Sequence, residues 1–354
     1  MFLAFKEMKQ SKLRYTLISV ITIAVLFLVF FVTGLANGLG FSDSSAIKNI
    51  QADYIVLNKE ADGAIIKSNL TLKDVENISE QLEQNATPLA INMSTLEREN
   101  EKDVDVVYFS VNANQYSDLE IVKGKDFSGL NKNEVIADES IQIFGIKLND
   151  EITDKNTGKK IVIAGFTKDH TYSMMPVVYA DFELGMNALY QDKLSYNAVV
   201  YTGDKAPITG YDTMESNEAV KTIPGYKETQ GSLTMIVVFL FIISAFVSTV
   251  FFYVITLQKT NQFGILKAIG ATTSYIAKGI IIQVTLITMI GVVFSSLFVY
   301  GMTQVIPEGV PFRTSPTLVL STAALFLVLN LLGSLLSVNK VAKVDALEAI
   351  GRVE

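Results

Sequence analysis

Cysteine and tryptophan are missing from the 354-residue sequence altogether, and histidine occurs once. Without thiols there can be no disulfide scaffold, no cysteine nucleophile, no thiolate zinc site and no thiolate-held iron–sulfur cluster. For the same reason cysteine usage leaves the redox compartment unmarked. A single histidine excludes multi-histidine metal sites and confines any Ser–His–Asp arrangement to one position. Charge is scarce as well: Asp, Glu, Lys and Arg make up 18% of the chain, against about a quarter in soluble proteins, while 49% is apolar. No Gly-x-x-x-x-Gly-Lys-[Ser/Thr], Gly-x-Ser-x-Gly or His-Glu-x-x-His stretch is present, so the chain carries no P-loop, hydrolase elbow or zincin helix of its own. A non-catalytic polypeptide with no intrinsic cofactor or metal site is expected.

The shortage of charge is concentrated in four places. Residues 15–42, 229–258, 279–307 and 314–339 contain no Asp, Glu, Lys or Arg, over 28, 30, 29 and 26 residues. A hydrocarbon core about 30 Å thick is crossed by about 20 apolar residues in a helix, so each run can span it with some tilt. One charge at mid-membrane costs about 2.5–3.5 kcal/mol on the insertion scale, which explains why charge is purged from these windows. A purely soluble protein is excluded. The first run keeps its apolar character from Tyr15 to Leu35, beyond the roughly 7–15 residues of a signal-peptide core, so it is expected to stay as a span.

The remaining charges set a topology. Residues 1–14 carry Lys6, Lys9, Lys12 and Arg14 against Glu7, and residues 259–278 carry three lysines and no acid. Residues 43–228 carry 18 basic and 31 acidic residues. Positive charge in short flanking segments stays inside, which places both ends and the 259–278 loop in the cytoplasm of a multi-pass plasma-membrane protein. The 186-residue acidic segment then lies outside, and its charge argues against nucleic acid as a partner. Phe2, Leu3, Phe5, Met8 and Leu13 recur near helical spacing with lysines between them, as in an amphipathic helix lying on membrane lipid.

Three regions follow: 1–42 (amphipathic helix and first span), an extracytoplasmic 43–228, and 229–354 with three spans, the 259–278 loop and a cytoplasmic tail. In the middle region Leu72, Val75, Ile78 and Leu82 predict an amphipathic helix over 71–84. Stretches 104–111, 135–137, 160–165 and 177–180 are β-branched or alternating, bounded by Gly, Asn and Asp, and predict strands; 181–189 predicts a second helix. The expected fold class is therefore an α-helical membrane protein with four transmembrane helices plus a mixed α/β extracytoplasmic domain, its strands mostly between residues 100 and 205.

Within the basic loop, Gln262-Phe263-Gly264-Ile265-Leu266-Lys267-Ala268-Ile269-Gly270-Ala271 reads as a short helix with one apolar side, ended by Gly270. This loop resembles the coupling segment of FtsX/MacB-type ABC transporter permeases, whose pattern runs Glu-Ile-Gly-Ile-Leu-Lys-Ala-Ile-Gly-Ala; Gln262 stands where the family usually has Glu. Ser11-Lys12-Leu13-Arg14 and Lys343-Val344-Asp345-Ala346-Leu347-Glu348-Ala349-Ile350 resemble the family's segments before the first and after the last span. Residues 33–39, 251–259 and Asp169-His170-Thr171-Tyr172-Ser173 resemble the HrtB-type haem-efflux branch of that family.

The resemblance implies a MacB-like outer domain, a homodimer, and a separate cytoplasmic HrtA-like ATPase that hydrolyses ATP and docks on Gln262, Gly264, Leu266, Lys267, Ala268 and Gly270. It also implies haem as transported substrate, with export of an amphipathic peptide or antibiotic, or an FtsX-type signalling adaptor that moves nothing, as alternatives. Haem is a flat apolar macrocycle whose iron accepts His, Met, Tyr or thiolate. A pump must release it, so weak ligands suit. Glu228 and Met235, seven residues apart at the outer start of the second span, fall on one helix face and are candidates. His170, Tyr172, Met174 and Met175 form a second candidate group, and Tyr116 a further one; each also has an ordinary reading as turn, buried strand or packing. Gly34 and Gly38 form a Gly-x-x-x-Gly pair suited to close helix approach, either between first spans of a dimer or within one chain.

Overall fold

The computed structural model describes residues 6, 9–50, 52–82, 86–98, 101–112, 119–182, 195–307 and 309–342. Four of its helices are long and apolar enough to cross a membrane: α1 (Lys12–Lys48), α3 (Tyr226–Gln258), α5 (Thr273–Thr303) and α6 (Pro316–Ala342). At about 1.5 Å per residue, 37 residues make α1 about 55 Å long, well beyond a bilayer core. Two of them begin on a recognisable signal. Thr272 caps α5 by accepting from the Tyr275 N–H, Ser315 accepts from the Leu318 N–H, and Pro316 opens α6 where its missing N–H costs nothing. The chain divides into two compact units, Leu39–Gln230 and the remainder.

In the helical unit, polar and small residues sit between helices. Ser295 Oγ donates to the Ile23 carbonyl at 2.7 Å, Asn330 Nδ2 to Thr288 Oγ1 at 3.4 Å, and Gly291 lies against Thr22 and Leu26. Lipid gives apolar side chains no reason to leave it, so close backbone approach and interhelical hydrogen bonds hold such helices together.

The other unit is a mixed sheet of eleven strands: β1 (Tyr54–Asn58), β2 (Ala86–Glu97), β3 (Val104–Val111), β4 (Ile121–Gly124), β5 (Glu134–Asp138), β6 (Glu151–Asp154), β7 (Lys160–Thr167), β8 (Thr171–Tyr172), β9 (Met175–Asp181), β10 (Ala198–Tyr201) and β11 (Tyr211–Glu215). The strand order is β11-β1-β10-β2-β3-β9-β5-β7-β4, with β6 against β2 and β7 and β8 against β9. The β3–β9 and β5–β7 pairs are parallel and the others antiparallel. Strands β3 and β9 are central and buried on both faces: Val107, Phe109, Val177 and Tyr179 point into one core, Val106, Tyr108, Val178 and Ala180 into another.

A third core lies under α2 (Leu72–Leu82), whose Val75, Ile78 and Leu82 cover β1, β2 and β10. Thr71 and Asp74 start this helix with reciprocal bonds, each side chain accepting the other's backbone N–H. Helix α2 and strands β3, β5, β7 and β9 stand where periodicity expects them. Strands β1, β2 and β11 fall outside the 100–205 window, and the expected helix at 181–189 lies almost wholly outside the described residues.

The last turns of α1 belong to this unit. Ala46, Ile47 and Ile50 share a core with β1, β3 and β9, and so do Ala219, Val220 and Ile223 from just before α3. The two ends of the unit are neighbours, since Gly40 lies against the Gln230 side chain.

Candidate cargo and coupling sites

The residues from His170 to Met175 do not face one way. His170 is 5% exposed; its backbone N–H donates to Asp138 Oδ2 at 2.7 Å and its Nδ1 lies 2.6 Å from the Tyr179 hydroxyl. Burial lowers the His170 pKa to about 4, with Asp169 opposing, and burial raises the Asp138 carboxyl. Tyr172 is 1% exposed, set edge-on against Phe109, and its phenol is pushed up to about 12 by burial. Both are core residues, which matches their ordinary reading as part of a buried turn and strand. Met175 packs on the same core.

Met174 alone of the group is presented outward, 53% exposed. It occupies the tip of the β8–β9 hairpin, where Tyr172 pairs with Met175 across two central residues. Ser173 and Met174 have φ of 51° and 62°, the type I′ geometry usually filled by Asn-Gly. The surroundings hold them there. The Ser173 and Met174 N–H groups donate to the Asp43 and Ser42 carbonyls of α1 at 2.9 and 3.2 Å, and the Thr171 N–H donates to Ser45 Oγ at 2.8 Å.

Glu228 lies in the first turn of α3 and is exposed, where a carboxylate suits the positive helix end. Met235 is 58% exposed and belongs to an apolar stripe of α3 with Phe239, Ile242 and Phe246. Tyr116 lies outside the described residues.

The 259–278 loop holds α4 (Thr260–Ala268), which carries the coupling candidates. Phe263 and Gly264 face inward and Leu266 packs on the core formed by Tyr15, Ile255, Ile276 and Ile280, while Gln262, Ala268 and Gly270 are exposed. Lys267 Nζ donates to the Ala342 carbonyl at 3.2 Å, at the C-terminal end of α6. The helix ends in a Schellman motif: Gly270 has φ of 98°, its N–H reaches the Lys267 carbonyl, and the Ala271 N–H reaches Leu266. The segment 343–350 lies outside the described residues.

Gly34 and Gly38 have an internal use. A Cβ at Gly34 would meet the Phe312 ring, and one at Gly38 would overlap the Pro311 carbonyl. Their smallness makes room within the chain for Pro311 and Phe312, as the within-chain reading expects.

One buried polar group is not marked in the sequence. Lys259 is 6% exposed and Gln283 4%, and both meet the buried Tyr15 hydroxyl. Lys259 closes an uncharged run, where a lysine ordinarily reads as a solvated end; nothing local announces its burial.

Comparison with known proteins bears on these sites. Residues 234–346 match the FtsX-like permease C-terminal family. The chain is 30% identical over 99% of both chains to a Staphylococcus epidermidis protein named as the permease HrtB of a hemin transport system. It is 30% identical over the full length of both chains to the Staphylococcus haemolyticus protein of the same name. Among solved structures, the periplasmic region of MacB from Actinobacillus actinomycetemcomitans is 15% identical with a TM-score of 0.37, covering 53% of this chain and 94% of that one.

Proposed function

Because the chain belongs to the FtsX-like permeases of the HrtB type, we propose that it is the membrane subunit of an ABC efflux pump that expels haem, powered by a separate cytoplasmic HrtA-like ATPase. The observation that carries this reading is the full-length identity to permeases named for hemin transport. The chain's lack of a P-loop supports leaving hydrolysis to a partner. Two chains act together as a homodimer, with both termini and α4 in the cytoplasm and the sheet unit outside, the orientation that the basic flanks favour. Helix α4 offers Gln262, Ala268 and Gly270 to the ATPase, with Gly264, Leu266 and Lys267 holding it to the bundle. Closure of the ATPase pair pushes α4, and the spans pass the movement outward.

Haem enters from the membrane and is held weakly. The exposed thioethers of Met235 and Met174 are soft iron ligands. Glu228, exposed at the outer start of α3, is a further oxygen donor. No strong ligand is wanted where the cargo must leave.

The test is a haem titration of the purified chain followed at the Soret band, with Glu228→Ala, Met235→Ala and Met174→Ala alongside. Saturation at about one haem per two chains, weakened by Glu228→Ala or Met235→Ala, supports a site at the membrane edge between protomers. Saturation weakened only by Met174→Ala moves the site to the hairpin. Absence of saturable binding sinks haem as cargo and leaves a peptide or antibiotic exporter. Haem protection of cells that persists with a hydrolysis-dead ATPase would favour a signalling adaptor.

A further inference from the structure

Lys259 stands at the elbow between two helices. Its N–H bonds to the Ile255 and Thr256 carbonyls at the end of α3, and its own carbonyl accepts from the Phe263 N–H in α4. With φ −102° and ψ 7° it leaves the helical region, so the helix is interrupted at this residue. Lysines are almost never fully buried unless paired, and this one, 6% exposed, has its ammonium against Tyr15, a member of the core that Ile255, Phe263, Ile276 and Ile280 also form.

The ammonium has a defined place in that core. Lys259 Nζ donates to the Tyr15 hydroxyl at 3.3 Å and lies 5.5 Å from the centre of the Tyr15 ring. Tyr15 Oη in turn donates to Gln283 Oε1 at 2.9 Å. The chain of bonds has one direction, from ammonium to phenol to amide, so the phenol is both acceptor and donor. In a poorly solvated core such bonds strengthen one another, and a cation over an aromatic face adds to them. Three elements remote in sequence, α1, α5 and the α3–α4 elbow, therefore meet at one phenol.

We infer that Lys259, Tyr15 and Gln283 form the joint through which movement of α4 is delivered to α1 and α5, with Lys259 a positioning residue for the coupling of ATP hydrolysis to export. The inference rests on the reading of α4 as the ATPase-docking helix. A rotation of α4 about its elbow either carries Tyr15 and Gln283 with it or leaves a buried ammonium and a buried amide without these bonds. The second course gives up bonds that a poorly solvated core strengthens, so α1 and α5 follow α4.

The absence of cysteine makes the test clean. Leu13→Cys and Asn261→Cys, both exposed, carry a spin-label pair reporting the separation of α1 and α4 in the permease–ATPase complex in liposomes. The separation should be the same without nucleotide and with trapped ATP when the joint is intact. In Lys259→Met and in the near-isosteric Tyr15→Phe it should change on ATP binding. Haem exported per ATP hydrolysed should then fall about tenfold while ATP hydrolysis itself persists. Lys259→Arg should restore much of both. A fixed separation and unimpaired transport per ATP in both Lys259→Met and Tyr15→Phe would overturn the joint. If the unmodified complex moves no haem but the label pair behaves as expected, the cargo assignment fails and the joint stands. If the ATPase does not bind, the docking assignment and the joint fall together.

Discussion

In the sheet unit Phe109, Phe166, Tyr179 and Ile55 are fully enclosed, and ion pairs such as Lys125–Glu134 and Lys160–Glu151 lie on the outside. Among the membrane helices the placement is reversed. Phe239, Phe246, Leu297 and Leu320 are exposed, while Gln283, Thr288, Ser295, Asn330 and Ser334 are buried. The same side chains take opposite positions because the surrounding medium differs. Water drives apolar area inward at about 25 cal/mol per Å², whereas lipid is as apolar as leucine and gives no such push. An exposed phenylalanine is therefore unremarkable in α3, and a buried glutamine in α5 is where specificity resides.

The contrast can be strained from both sides. The largest expected effect is Phe109→Ala: a ring set edge-on to Tyr172 and Tyr179 leaves a cavity in the doubly buried strand β3, costing about 3–5 kcal/mol. Limited proteolysis of the purified chain should show the sheet unit opening, with the spans intact.

Next comes pH. The folded pKa of His170 lies near 4, below its ordinary 6.5, so the unfolded chain takes up the proton first. The stability that neutral His170 preserves is complete above about pH 6.5 and lost as pH falls towards 4, up to about 3 kcal/mol. The raised carboxyl of Asp138 works the other way and softens the fall. Thermal unfolding at pH 7 and pH 5 should differ more for the native chain than for His170→Asn.

Gly38→Ala sets a Cβ against the Pro311 carbonyl and should cost about 1–3 kcal/mol, read as a lower melting temperature in detergent. Gly301→Ala, with open space around it, should be neutral or stabilising by up to about 1 kcal/mol. The smallest effect is expected of Leu320→Ala, under about 0.5 kcal/mol by the same assay despite the size of the side chain, because it is already 73% exposed. A large loss there would mean that this face of α6 is covered by protein and would break the contrast.

What the sequence disclosed follows from the same physics. Spans are legible because a bilayer excludes charge over whole windows. Strands β3, β7 and β9 are legible because doubly buried strands read as apolar runs. Strand β2 is not: it pairs with β10 through residues 86–89 and then with β3 through 90–96, and its burial does not alternate across the change of partner. The end of α4 at Gly270 is written in one residue, since the left-handed cap needs glycine. The tip at Ser173 and Met174 adopts the same hand without glycine, so the outward turn of Met174 and the inward turn of Tyr172 leave no local trace. Tyr15, Lys259 and Gln283 lie far apart in the chain, and only packing brings them together.

The neighbouring ends of the sheet unit have a consequence for how the molecule is made. Its largest core takes Ala46, Ile47 and Ile50 from the segment that leaves the membrane first and Ala219, Val220 and Ile223 from the one that returns last. In the proposed orientation, a nascent chain that has delivered the strands outside, but not yet residues 219–223, holds that core open. Completion of the domain therefore waits for translocation of almost all of it, and this interval is when a folding helper or an outside protease finds the chain most accessible.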